Sequence, residues 1–321
     1  MIDPDSFPSK YATLNGTRYF YIDQPAQGKL KNTIVLVHGW PDSWYGWRHQ
    51  IPFLAAEGYR VLCISQVGFG SGTESPRELE KYTIKSVCAD LSSLLAHHGV
   101  RRAIFWGHDW GGAVVYRMAN YYPSLVVAVI SLSTPYFPPA KGKYLTLEEM
   151  AKAMPNIYLA SEKPMLDFST PEDFRKFFNG LFLPGKGMKM DFTDLAAQED
   201  QAPTPLMPAE ELEVFVRQYA ETGLGASTNW YRTRRLNFDH DRADFADSEG
   251  RLEVPVLFIA TTLDPVLKPA LSHGMEKVIP KLTRKQVGTG HWGLTEAKDE
   301  VNAIVGEFLM RLHLEKMRHQ I

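Results

Sequence analysis

Short β-rich runs recur along the chain: RYFYIDQP at 18–25, NTIVLVHG at 32–39, YRVLCIS at 59–65, RRAIFWGH at 101–108, VVAVISLS at 126–133, VPVLFIAT at 254–261 and TRKQVGT at 283–289. Several are apolar at consecutive positions, so both faces of the strand must be covered. That is the pattern of central strands in a mostly parallel sheet. Between the runs the period changes. Over 82–98, Ile84, Val87, Cys88, Leu91, Leu94 and Leu95 recur at three- and four-residue steps, which predicts a helix with one apolar stripe. Residues 110–121 and 296–314 also predict helices. Alternating strand and helix predicts a doubly wound α/β layer.

The alternation stops from about 135 to 250. No strong β run occurs there, prolines interrupt it from Pro135 to Pro208, and helix-like pieces such as PAEELEVFVRQYAETG lie between them. An insertion after a sheet strand commonly lies over the carboxyl ends of the strands, where α/β folds bind ligands. The expected organisation is a core of 1–134 and 251–321 with a helical cap, 135–250, inserted between sheet strands.

Composition narrows the classes. The 321 residues are 44% hydrophobic and 22% charged with a net charge of -2, so neither nucleic acid nor an anionic membrane is an expected partner. The two cysteines, Cys63 and Cys88, form no CxxC pair and no zinc-like spacing with histidine. The start MIDPDSFPSK lacks the basic end and apolar stretch of a signal peptide, and the tail LEKMRHQI lacks a peroxisomal address. Runs such as LVVAVISL are too short to span a bilayer. The expectation is a soluble, cytoplasmic protein.

Candidate chemistry begins at GHDWGG. A strand, a sharp turn flanked by Gly107, Gly111 and Gly112, and a helix make a nucleophile elbow with Asp109 at its apex. An Asp before a helix is ordinarily a cap; three further segments change that reading. HGWP, two strands earlier, bends the chain so that the Trp40 N–H can face the elbow and, with the Trp110 N–H, form an oxyanion hole. Asp264 follows the run VPVLFIAT. His291 lies in GTGHWG near the C-terminus. The order nucleophile, acid, histidine is that of α/β hydrolases.

A carboxylate at the apex suits a particular reaction. With a reference pKa of about 4 it is ionised at neutral pH. Attack on an ester or amide would give an unstable anhydride, whereas attack at saturated carbon gives an alkyl ester. Histidine then activates water against the enzyme's own ester carbonyl. Epoxides and haloalkanes both fit. An opening epoxide needs a proton donor at oxygen, and Tyr231 in NWYR and Tyr158 in MPNIYLASEKP offer phenols in the inserted region.

These segments resemble the soluble epoxide hydrolases of the α/β-hydrolase superfamily. The resemblance rests on VHGWPDSWYGWRHQIPFLAAEGYRVL, GHDWGGAVVYRMANYYP, STPYFPP, NWYR and GHW, and runs from about 33 to 315. It implies an α/β-hydrolase fold and a small apolar epoxide as substrate, with no cofactor. It further implies Asp109 as nucleophile, Asp264 as acid and His291 as base, with backbone donors at Trp40 and Trp110. Tyr231 and Tyr158, the latter across a one-residue gap, become the cap tyrosines. Trp110 and Phe137 are expected to line an apolar tunnel. Gln66 stands where relatives usually carry a turn-shaping Asp, with no catalytic loss expected. The phosphatase domain of some vertebrate relatives is absent, so no metal is expected. A monomer or a homodimer remains open. So do three other readings. In a haloalkane or haloacid dehalogenase, the Trp110 and Trp40 indoles would hold halide; NWYR argues against it. A serine esterase lacks its serine here. A catalytically dead binding module would ordinarily have lost a triad member.

Overall fold

The computed structural model describes residues 1–70, 72–146, 149, 157–160, 168, 170–185 and 202–318. Eight strands form one sheet: β1 Ser9–Leu14, β2 Thr17–Gln24, β3 Asn32–Val37, β4 Tyr59–Ile64, β5 Ala103–His108, β6 Val126–Leu132, β7 Val256–Thr261 and β8 Leu282–Val287. Their order is β1-β2-β4-β3-β5-β6-β7-β8. The first two pairings are antiparallel and the rest parallel, the mostly parallel sheet that the apolar runs predict. Every residue of β5 is buried, as a strand covered on both faces requires. No apolar run announces β1, because it is an edge strand that buries only Ala12 and Leu14.

Helices α1 Gln50–Ala56, α2 Ile84–His97 and α3 Trp110–Tyr121 follow their strands. The helix expected over 82–98 starts at Ile84 because Tyr82 ends a separate 3-10 turn, Leu79–Tyr82. The Thr83 hydroxyl then accepts the Ser86 N–H at 3.2 Å and caps α2. The expected 110–121 helix is α3.

Between β6 and β7 lie five helices among the described residues: α4 Ile157–Ala160, α5 Pro171–Leu181, α6 Ala209–Thr222, α7 Asn229–Arg232 and α8 Arg234–Asp244. After β7 come α9 Met275–Val278, α10 Gly293–Glu296 and α11 Lys298–Arg318. The last starts and ends later than the expected 296–314. Helix α2 packs on α3, and α1 on α11.

A capping box of Thr170 and Asp173 fixes the start of α5. Helices α5 and α6 pack together through Phe178, Phe215 and Tyr219. Long-range polar contacts fasten the insertion to the sheet body. Arg48 Nε donates to Glu211 Oε2 at 2.8 Å with both side chains almost fully buried. Arg117 pairs with Asp241 through two bonds. The Trp230 indole donates to the Val67 carbonyl at 3.0 Å. Among the described residues no helix is long and apolar enough to cross a membrane.

Candidate active site

Asp109 stands between β5 and α3 with φ 53° and ψ −123°. A non-glycine residue in such a region costs about 1–3 kcal/mol and persists only where its surroundings hold it. Here the Thr134 hydroxyl donates to the Asp109 carbonyl at 2.7 Å, and the Gly112 N–H donates to the same oxygen at 2.9 Å. The turn also needs close approach by its neighbours. A Cβ on Gly39 would lie 2.4 Å from the Asp109 Cβ, and one on Gly111 would lie 1.9 Å from the Val37 carbonyl oxygen.

The side chain of Asp109 is held asymmetrically. The Trp40 N–H donates to Oδ1 at 2.8 Å, and the Trp110 N–H is a second backbone donor to this carboxylate. Oδ2 faces His291, whose Nε2 is 3.8 Å away, beyond hydrogen-bond distance. Burial pushes the Asp109 carboxyl above its ordinary value, while His291 and the two N–H groups oppose that shift.

Asp264 follows β7 and its side chain is fully buried. Its Oδ1 accepts the Val266 and Leu267 N–H groups at 2.8 and 2.9 Å. Its Oδ2 accepts His291 Nδ1–H at 2.8 Å, which leaves Nε2 turned toward Asp109. Burial alone would depress the histidine. Asp264 outweighs it through charge and hydrogen bond, and with Asp109 and Asp42 brings His291 up to about 9. Burial opposes the ionised form of Asp264, but His291 and the two backbone donors overcome it and hold this carboxyl far below its usual range.

Two residues behind the histidine were not singled out from the sequence. His108 Nε2–H donates to the His291 carbonyl at 2.8 Å; burial lowers the His108 imidazole to about 3, so it stays neutral. Asp42 lies 3.9 Å from His108 Nδ1, is pushed up to about 7 by burial, and helps to hold the His291 proton. Both adjoin motifs that were read: Asp42 follows HGWP, and His108 precedes Asp109. At Gln66, the backbone N–H donates to His38 Nε2 at 2.9 Å and the side-chain amide donates to the His38 carbonyl at 3.3 Å. Gln66 thus shapes the HGWP turn through the backbone and an amide in place of a carboxylate.

Across from Asp109 stands Tyr231 on α7. Its ring meets Trp40 edge-on at 5.5 Å and Trp110 at 5.3 Å, both nearly perpendicular. These are the two residues whose N–H groups hold Asp109. Burial, and then the Asp109 charge, keep the Tyr231 phenol well above its ordinary value, so it is a neutral O–H. The Trp40 indole donates to Ser227 Oγ at 3.0 Å, and the Ser227 hydroxyl in turn donates a hydrogen bond to the Leu224 carbonyl at 2.9 Å. Tyr158 falls on α4, which packs against α7; its side chain lies outside the described residues. Phe137 is half-exposed on the chain leaving β6, and its carbonyl accepts from Arg117. Among the described residues its ring joins none of the edge contacts around Tyr231.

The structure therefore brings Asp109, Asp264, His291, Tyr231 and the N–H groups of Trp40 and Trp110 into one site. Its chemistry is that of an anchored carboxylate with one oxygen turned to the histidine, an imidazole held by a second carboxylate, and a buried phenol.

Residues 32–298 match the family described as alpha/beta hydrolase fold. The chain is 32% identical to bifunctional epoxide hydrolase 2 of Mus musculus, covering 96% of this chain and 56% of that protein. With the rat counterpart at 51%, the chain spans about half the length of these relatives. It is 35% identical to epoxide hydrolase A of Mycobacterium tuberculosis, covering 94% of this chain and 96% of that one. The crystal structure of epoxide hydrolase A from Mycobacterium thermoresistibile superposes with a TM-score of 0.79 at 29% identity, over 94% of this chain and 98% of that one.

Proposed function

The chain belongs to the epoxide hydrolases of the α/β-hydrolase superfamily, and on that premise we propose that it adds water to small apolar epoxides, giving vicinal diols through a hydroxyalkyl ester on Asp109. Residues 135–250 act as a cap over a core of 1–134 and 251–321.

The observation that carries this reading is the asymmetry of the Asp109 carboxylate. Oδ1 already rests on the Trp40 N–H at 2.8 Å, while Oδ2 has no hydrogen bond from His291 at 3.8 Å. A serine would need that bond to lose its proton; a carboxylate does not. Oδ2 is the attacking oxygen. It forms a bond to one epoxide carbon as the C–O bond of the ring breaks, and the alkoxide takes a proton from Tyr231. Tyr158 is the second phenol of this cradle, a role supported by the packing of α4 on α7. Oδ1 becomes the ester carbonyl oxygen, already placed on the Trp40 N–H, with the Trp110 N–H beside it as the second donor of the oxyanion hole.

Charge prepares the second step. At neutral pH the resting site holds Asp109 ionised and His291 protonated. Esterification removes one of the negative charges that hold the histidine proton. The proton that leaves His291 restores the Tyr231 phenol, and the imidazole becomes the neutral base the next step requires. It takes a proton from water, hydroxide adds to the ester carbonyl, and the negative charge develops on Oδ1. Each backbone donor there contributes roughly 3 kcal/mol to the barrier reduction. Collapse releases the diol and restores Asp109 and His291-H⁺, so protons balance over the cycle.

The dehalogenase alternative needs indole N–H groups to receive halide. The Trp40 indole donates to Ser227, and the Trp110 ring packs edge-on against Tyr231. A departing halide would have to break both contacts.

Trapping tests the proposal. His291→Gln incubated with styrene oxide is expected to gain the mass of one whole epoxide on the peptide containing Asp109. An alkyl group left on Asp109 by a haloalkane, with no adduct from the epoxide, would replace this reading by the dehalogenase one.

A further inference from the structure

The loop bearing His291 is fastened to the cap as well as to the core. Trp292 Nε1 donates to the carbonyl of Leu181, the last residue of α5, at 2.8 Å. The same indole meets the edge of Phe182 at 4.5 Å. The cap chain then reaches Gly185, which has φ 60°. Its carbonyl oxygen lies so close to Gly290 that a Cβ there would sit 2.0 Å from it. Glu296, the last residue of α10, closes this contact. Its Oε1 and Oε2 accept the Gly185 N–H at 3.0 and 3.1 Å, and Oε2 also accepts the Gly290 N–H at 3.2 Å. One carboxylate thus holds two backbone donors. One belongs to the cap, and the other immediately precedes His291.

We propose that Glu296 is a positioning residue for His291, and that through it the cap segment 181–185 sets the imidazole for ester hydrolysis. The inference rests on the function proposed above. The histidine lies in the segment GTGHWG, whose glycines leave the backbone free unless it is held. Three contacts act on His291 itself and on the residue before it. Asp264 takes Nδ1 at 2.8 Å, His108 takes the His291 carbonyl at 2.8 Å, and Glu296 takes the N–H of the residue before it. The first two are core residues and fix the ring and the carbonyl. The Leu263 N–H also holds the Thr289 carbonyl at 2.9 Å from the core side, so the third contact is the one that ties the incoming backbone to the cap. Hydrogen bonds to an ionised acceptor are among the stronger restraints available to a loop.

The consequence is selective. Alkylation is carried by Asp109 and the cap phenols, and does not require the imidazole at an ångström-exact position. Hydrolysis does, because Nε2 must hold water against the ester carbon. A misplacement of about 1 Å costs on the order of 10²-fold.

Glu296→Ala in the full chain, mixed with styrene oxide in single-turnover experiments, is expected to alkylate within about twofold of the parent rate. Its hydrolysis should slow by about 10- to 10²-fold, so that the ester on Asp109 accumulates in the intact mass. Glu296→Gln keeps an acceptor without the charge and should recover part of the rate. Trp292→Phe removes the bond to Leu181 and should show the same selective slowing; it decides the matter if Glu296→Ala does not fold. Equal loss of both steps, or no accumulation of ester in either variant, would overturn the inference. If His291→Gln forms the adduct and these variants do not accumulate it, this inference fails alone. If His291→Gln forms none, the proposed function fails and takes the inference with it.

Discussion

On the sheet side of the site, Asp109, Asp264 and His291 follow β5, β7 and β8, and backbone N–H groups hold one oxygen of each carboxylate. The N–H groups of Trp40, Val266 and Leu267 reach the carboxylates, and the Gly290 N–H is itself held by Glu296. On the cap side, Tyr231 sits on the single-turn helix α7 and is met by ring edges from Trp40 and Trp110. Its position depends on a few distant bonds: Trp40 to Ser227, Trp230 to Val67, and Arg48 to Glu211. The difference teaches a division of labour. In the proposed mechanism, the charge that must stay in one place through two chemical steps is held by rigid backbone donors, and the proposed proton donor, needed once, is held by side chains on an insertion.

The largest way to break this comparison is on the sheet side. Asp264→Asn removes the main upward influence on His291. The imidazolium, held to about 9 in the parent, should then lose its proton nearer the ordinary value of about 6.5. The resting histidine turns neutral at pH 7, but its Nδ1 partner and orientation are lost. Ester hydrolysis should fall by about 10⁴-fold with alkylation nearly unchanged. Quenched-flow measurement of both steps, with an NMR titration of the histidine, checks it. Equal loss in both steps would show that the two sides are not separable.

The next effect is on stability and comes from the cap side. Glu211→Ala leaves Arg48 buried without its carboxylate, which is expected to lower the unfolding free energy by about 3–5 kcal/mol. Replacing both residues by apolar side chains of similar size should recover most of that loss. Urea unfolding of the single and double variants measures it. A single-variant loss under about 1 kcal/mol would mean that other contacts carry the attachment of α6.

The same division explains what could be read from the chain. The central strands were legible because burial on both faces leaves consecutive apolar residues, and the elbow because a sharp turn demands small residues beside Asp109. HGWP, Asp264 and His291 were legible because strand ends place them in a fixed order. Strand β1 was not, since an edge strand half in water shows no run. Asp42 and His108 were inside quoted motifs, yet their roles depend on being buried beside His291, which spacing does not encode. Ser227 and Glu296 lie farther from recognition. A serine or glutamate gains its function here only from the partner folded against it, and those partners are distant in sequence: Trp40 for Ser227, and Gly185 for Glu296.

The smallest predicted effect separates the two sides most finely, because it reaches Tyr231 through Trp40, a residue both sides share. The Trp40 N–H serves Asp109 on the sheet side, and its indole serves Ser227 and Tyr231 on the cap side. Trp40→Phe keeps the backbone donor and removes the indole N–H together with part of the ring that meets Tyr231. Ser227→Ala removes the acceptor and leaves that N–H buried without it, at a cost of about 1–3 kcal/mol. Part of that cost should appear as a displaced phenol, slowing alkylation roughly fivefold, or about 1 kcal/mol of barrier. Hydrolysis should not change, since Asp109, His291 and the oxyanion donors are untouched. The double variant should be no slower than the worse single one, because both changes remove the same bond. Additive losses in alkylation would mean that the indole and the serine act separately. A loss in hydrolysis would mean that the Trp40 ring steadies its own N–H, and that the boundary between the two sides runs through the oxyanion hole itself.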